Sequence, residues 1–265
     1  MLRKRPSLSW ITVIFGILGL IIIIFIVLPL AKMILGSDPK ILIQTISDSE
    51  VMKSIWFTLY AALIATVIGC FLGVPLAYLL ARLSFPGKRI IEGLVDVPIV
   101  VPHTAAGIAL LFVFGRNFLI GKVFGKIGVS FIDSTAGTVI AMLFVSVPFL
   151  IDSAKEGFKK VDVRLEKVAR SLGASSWQTF IKITLPLSWR SIVSGNIMMW
   201  ARGISEFGAV VILAYYPMTA STLIYQRFET LGLNYSLSIA ALLIIICVIA
   251  FIILRTLVSR RDIYD

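Results

Sequence analysis

Six long stretches of mostly apolar residues, at about 10–34, 55–81, 91–115, 135–153, 192–216 and 236–257, constrain this chain more than any other feature of it. A helix needs roughly 20 such residues to cross a bilayer. Unpaired backbone groups are too costly in hydrocarbon for looser structure. The stretches therefore predict an all-α integral membrane helix bundle of about six transmembrane helices, forming a single domain over 1–265. Composition agrees, with 58% hydrophobic residues, 15% charged and a mean hydropathy of +0.99. Soluble domains hold about 45–50% and about 25%. Glu92, Asp96, Pro98 and Pro102 fall inside the third stretch, which predicts a kinked span partly shielded by protein. Arg3-Lys4-Arg5 ahead of the first stretch resembles the start of a signal peptide. Its apolar run is longer than the usual core of about 7–15 residues, and no small-x-small cleavage site stands out, so a retained helix is expected.

A net charge of +11 raises the question of nucleic acid. The distribution answers it. With a cytoplasmic N-terminus, 17 Lys and Arg fall on inner segments, including Arg255, Arg260 and Arg261 in the tail, against seven on outer ones. Lys and Arg collect on cytoplasmic loops. The charge therefore predicts a multi-pass protein of the cell (plasma or inner) membrane with both termini cytoplasmic, and no nucleic-acid partner. One histidine, His103, excludes a multi-histidine metal site within one chain, and Cys70 and Cys247 each sit in an apolar run. No metal site is expected. A membrane-embedded enzyme would need a cluster of catalytic groups that these spans do not offer. Gly69 and Gly73 form a G-x-x-x-G, which permits close helix packing.

The one sizeable loop, 154–191, lies on the inner side. Leu165, Val168, Ala169 and Leu172 fall at i, i+3, i+4 and i+7, one face of a helix. Arg164, Glu166, Lys167 and Arg170 lie off that face. Asp162 is placed to cap the start, and Gly173 to end the helix in a left-handed turn. Ser175 and Gln178 have the spacing of a capping box for a second short helix, which Pro186 ends or turns into the membrane. Two readings fit: an amphipathic pair on the lipid surface, or a docking element for a cytoplasmic protein.

The loop resembles that of ABC-importer permeases, which carry E-A-A, three residues, Gly, nine residues, Ile, one residue and Leu-Pro. Ala169, Gly173, Ile183, Leu185 and Pro186 match. Val168 stands at the first Ala and Lys167 at the Glu, with Glu166 one residue early. The resemblance implies a permease domain whose first loop helix docks into a groove on an ATPase subunit. The chain has no G-x-x-x-x-G-K-[ST] phosphate loop, so a separate nucleotide-binding protein is required. The permease would be no enzyme itself and hold no cofactor. ATP and Mg would be used by two cytoplasmic ABC ATPases beneath a homodimer in the lipid bilayer.

In the fifth stretch Arg202 and Glu206 lie four residues apart, on one face. Charges there are expensive and should face protein or water. They are either a structural ion pair or part of a transport path or gate. His103 and Thr104 can offer hydrogen bonds to a passing anion, or His103 can be a structural residue beside a kink. Ala201-Arg202 through Glu206-Phe207-Gly208-Ala209, the segment Asp96–Leu110 and Ala214-Tyr215-Tyr216-Pro217 resemble the molybdate, tungstate and sulfate permeases, closest to the molybdate/tungstate branch. The resemblance runs from about Ser54 onward. It implies import of a tetrahedral oxyanion delivered by an extracytoplasmic oxyanion-binding protein. Sulfate, thiosulfate or another small anion is the alternative within the class. An ATP-independent channel or carrier is the alternative outside it.

Overall fold

The computed structural model describes residues 10–259. Arg3, Lys4, Arg5, Arg260 and Arg261, which entered the charge count, lie outside the described residues. Helix α1 (Trp10–Leu35) buries none of its residues and touches α13 (Leu233–Ser259). A helix apolar on every side fits lipid as its solvent. Asp38 caps α2 (Pro39–Ser47), and Asp48 caps α3 (Ser49–Arg82) by accepting the Glu50 N–H at 2.9 Å. That cap starts α3 six residues before the expected 55. At 34 residues it is about 50 Å long, longer than the hydrocarbon layer of about 30 Å.

The third stretch is a broken span, a larger departure than the kink that was expected. Helices α4 (Lys88–Val100) and α5 (His103–Phe114) meet at 115°. Pro102 supplies no N–H, and a residue before proline is driven into extended backbone, as Val101 is at φ −69°, ψ 134°. A short helix, α6 (Leu119–Gly125), leads to α7 (Thr135–Lys160), capped by Ser134. The 154–191 loop forms α8 (Val163–Ser171) and α9 (Ser176–Thr179). A wider π turn over Phe180–Thr184 then runs directly into α10 (Leu185–Ile204). Of the two expectations for Pro186, an end to the second helix or a turn into the membrane, the turn is what forms: Pro186 lies in the first turn of α10. The Leu185 N–H reaches back five residues to the Phe180 carbonyl, and proline follows on this widened turn without leaving a break.

The fifth stretch also departs from expectation. A single span over 192–216 was expected, but α10 stops at Ile204 and a short α11 (Gly208–Leu213) follows a three-residue break. Helix α12 (Ala220–Leu231), capped by Thr219, was not anticipated. The Thr58 hydroxyl of α3 accepts the Ala220 N–H at 2.7 Å, tying α12 to α3.

Burial orders the long apolar helices from centre to lipid: α7 is the most buried, then α3, then α13, while α1 buries none of its residues. Helix α7 packs against both α3 and α10, and small residues set the approach. A Cβ on Gly157 would lie 2.4 Å from the Ser191 Cβ, and one on Gly195 would lie 2.9 Å from the Ser153 Cβ. The Ser153 hydroxyl donates to the Ser191 carbonyl at 2.7 Å across the same seam. Gly69 and Gly73 serve two neighbours: Gly69 faces Met199 of α10, and Gly73 faces Ile151 of α7.

Candidate functional sites: a broken-helix ion cluster and a docking loop

The two helix breaks meet in space. Gly208 opens α11 directly against the start of α5, where a Cβ would come within 2.7 Å of the His103 Cβ and 3.1 Å of the Thr104 amide nitrogen. Only glycine allows this approach without displacing α5. Around the junction sit three of the residues singled out from the sequence.

Arg202 lies in the last turn of α10, where carbonyls lack intrahelical partners and a cation is favourable. Its Nη2 donates to Glu206 Oε2 at 3.0 Å, and its Nη1 to the Ser205 hydroxyl at 3.3 Å. Glu206 Oε1 accepts the Ala209 N–H at 2.8 Å, satisfying a free amide at the start of α11. The pair therefore neutralises the two helix ends on either side of the break. His103 completes the cluster from 99 residues away. Its Nε2 lies 2.8 Å and its Nδ1 3.1 Å from Arg202 Nη2, while Nδ1 is 3.3 Å from Glu206 Oε2. The imidazole thus lies against both charged groups, and the ring nitrogen without a proton can accept from Arg202.

Exposure divides the roles. The Glu206 side chain is 1% exposed, Arg202 21% and His103 38%. The carboxylate is fully committed to protein, whereas the guanidinium and imidazole each keep a face open. Thr104 is exposed and takes no part in these contacts. The arrangement leaves a guanidinium and an imidazole partly open rather than enclosing a closed, strongly cationic cage.

In the 154–191 loop the expected local geometry is present. Asp162 accepts the Arg164 N–H at 2.8 Å. Gly173 adopts φ +93°, and the chain closes with Gly173 N–H to the Arg170 carbonyl and Ala174 N–H to the Ala169 carbonyl. These two bonds are the paired closure that a left-handed glycine permits. Ser175 and Gln178 cap each other's backbone as their spacing predicted. Helix α8 is thus short and fixed at both ends.

Its apolar face points away from the rest of the chain. Leu165 is 48% exposed, Val168 56% and Leu172 83%, with Ala169 half-buried. Arg164, Lys167 and Arg170 are exposed around them. Glu166 lies off the apolar face, as its position in the helix predicts, and unlike its charged neighbours it turns inward. It is buried and accepts from Arg82 Nε at 2.9 Å, Arg82 Nη2 at 2.7 Å and the Thr184 hydroxyl at 2.8 Å. On a nine-residue helix the side opposite the apolar face is the one left to pack on the bundle, so this carboxylate meets a cation of its own chain. Ile183, Leu185 and Pro186 are not on α8 either; they form the turn into α10, where Leu185 packs against the core around Leu150 and Phe158. Arg82 and Thr184 were missed from the sequence. Arg82 reads there as an ordinary basic residue at the end of a span, and nothing in its neighbourhood names a partner 84 residues away.

Residues 73–263 match the family described as the binding-protein-dependent transport system inner membrane component. The chain belongs to this family and is a permease subunit of an ABC transporter. It is 45% identical to the molybdate/tungstate transport system permease protein WtpB of Thermococcus kodakarensis, over 94% of this chain and 96% of that one. It is 41% identical to the protein of the same name from Methanocaldococcus jannaschii, over 88% and 91%. A probable sulfate transport system permease protein, cysT of Chlorokybus atmophyticus, is 36% identical over 72% and 73%. Among solved structures, a bacterial ABC transporter involved in the import of the acidic polysaccharide alginate has the same fold, with a TM-score of 0.73 and 16% identity over 94% of this chain and 95% of that one. The MetNI methionine ABC transporter aligns with a TM-score of 0.62 and 16% identity over 79% and 93%.

Proposed function

We propose that this permease imports a tetrahedral oxyanion, molybdate or tungstate, received from an extracytoplasmic binding protein and driven by two separate ABC ATPases that use ATP and Mg. The observation that carries the substrate is the 45% identity, along nearly the whole chain, to a protein named for molybdate and tungstate. The observation that carries the coupling is the rigid, doubly capped α8 with Leu165, Val168 and Leu172 turned outward. A lipid-surface reading of α8 accounts for an apolar face but not for the family match around it. An ATP-independent channel or carrier leaves both unexplained.

The chain works as a homodimer with both termini in the cytoplasm and a central path between the two copies. Closure of the ATPases moves the paired α8 helices, and the bundle responds as rigid bodies, opening alternately to the two sides. Arg202, His103 and Thr104 line the path where α5 and α11 meet. Glu206 holds Arg202 in place and is not itself offered to the anion.

The substrate reading is tested by tungstate uptake into proteoliposomes carrying the complete complex. Molybdate in about tenfold excess should suppress uptake by close to the tenfold that equal competition requires, and the same excess of sulfate should leave it nearly unchanged. The 36% identical sulfate-type relative makes the second outcome informative. Equal suppression by sulfate would move the assignment to that anion.

A further inference from the structure

We infer that Arg82 is a positioning residue for energy coupling, the point at which movement of the docking helix is passed to the helices that carry the path. This rests on the docking role proposed for α8. Four contacts define it. One carboxylate oxygen, Glu166 Oε1, accepts from Arg82 Nε, Arg82 Nη2 and the Thr184 hydroxyl, and the same Arg82 Nη2 donates to the Val161 carbonyl at 3.0 Å. The Arg82 side chain is 9% exposed and that of Glu166 12%, while Thr184 is fully buried.

These residues come from four places. Arg82 is the last residue of α3, Val161 ends α7, Glu166 lies in the first turn of α8, and Thr184 closes the π turn at the foot of α10. The cluster is where the docking helix is tied to all three central helices. A buried ion pair is poor evidence for stability, because desolvation offsets attraction, but it specifies one geometry sharply. Arginine suits the task because its planar fork donates in fixed directions to both oxygens. Helix α8 therefore cannot tilt or slide without drawing on the foot of α3 and the foot of α10.

Helix α10 carries the consequence outward. Its 20 residues make a rod of about 30 Å, with Thr184 at one end and Arg202 in the last turn at the other. Along it α10 packs closely on α7, with Gly157 against Ser191 and Gly195 against Ser153 and Leu150. A displacement entering at Thr184 thus reaches the α5–α11 junction as motion of a rigid helix. The outward face of α8 makes the contact with the ATPase, and its inward face, through Glu166, converts that contact into movement.

The test uses the complete reconstituted complex and reads two rates together: tungstate uptake and ATP hydrolysis. Arg82→Leu should still co-purify with its ATPase, because Leu165, Val168 and Leu172 are untouched, and should still hydrolyse ATP. Tungstate transported per ATP should fall by about fivefold or more, the lower end of ordinary coupling free energies. Arg82→Lys keeps the charge without the fork and should recover part of the ratio. If Arg82→Leu does not accumulate, Thr184→Val decides, since it keeps the ion pair and removes only the link to α10; its ratio should also fall. A transport-to-hydrolysis ratio equal to wild type in an assembled Arg82→Leu complex, or in Thr184→Val, overturns the inference. Uptake by the wild-type complex that needs no ATP would instead sink the importer reading on which it rests.

Discussion

Replacing Glu206 with alanine is expected to destabilise the permease by about 3–5 kcal/mol, the usual cost of leaving one member of a buried ion pair alone. Three losses add up at this position. The Ala209 N–H at the start of α11 loses its acceptor, the guanidinium of Arg202 loses its counter-charge, and His103 loses one of its two partners. Glu206→Gln should cost less, because an amide oxygen can still cap Ala209 while only the charge is removed. Pairing Glu206→Gln with Arg202→Met should recover part of the single-variant loss, since no unpaired ion then remains. Thermal unfolding of the detergent-solubilised protein reads all three. A Glu206→Ala protein as stable as wild type would mean that the break between α10 and α11 is held by packing, and that the ion cluster does not maintain it.

The second large effect is expected at the docking face. Leu165→Asp combined with Leu172→Asp should abolish co-purification of the ATPase while the permease still inserts and folds, because both side chains are already exposed in the single chain. Burying a leucine side chain contributes about 1.5–3 kcal/mol. Losing two such contacts is about 3 kcal/mol or more, which is more than a hundredfold in affinity. Undiminished assembly of the double variant would remove α8 from the docking role and favour its lying on the lipid surface.

The sequence was most informative where a physical rule acts locally. Apolar runs marked every region that became a long apolar helix, because hydrocarbon leaves a helix as the cheapest solution for each run separately. Caps at Asp162, Gly173 and Ser175 were legible for the same reason: each involves groups within a few residues. The breaks were harder. Pro102 announced a distortion, but its angle of 115° depends on α11 packing against α5 through Gly208 and Gly107. The end of α10 carried no proline at all. It is set by Glu206 folding back to Arg202 and forward to Ala209, which makes two helix ends out of what reads as one apolar stretch.

The candidate sites show the same division. Arg202 and Glu206 were legible as a pair because they are one turn apart. His103 joined them only through the fold, and so did Arg82 with Glu166, since neither sequence neighbourhood names its partner. Helix α12 went unrecognised because its sequence, with Gln226, Arg227 and Glu229 among apolar residues, lies on the polar side of any hydropathy threshold for a span.

The proposed function requires that ATP hydrolysis by a partner, acting through α8, drive oxyanion import through this chain. Tungstate uptake into proteoliposomes containing permease, ATPase and binding protein tests it most directly, with ATP and Mg inside or withheld. Accumulation above the external concentration is expected only when ATP, Mg and the binding protein are all present, and none with the Leu165→Asp, Leu172→Asp permease. Equal uptake in the absence of ATP would contradict it and make the chain a passive or ion-coupled carrier.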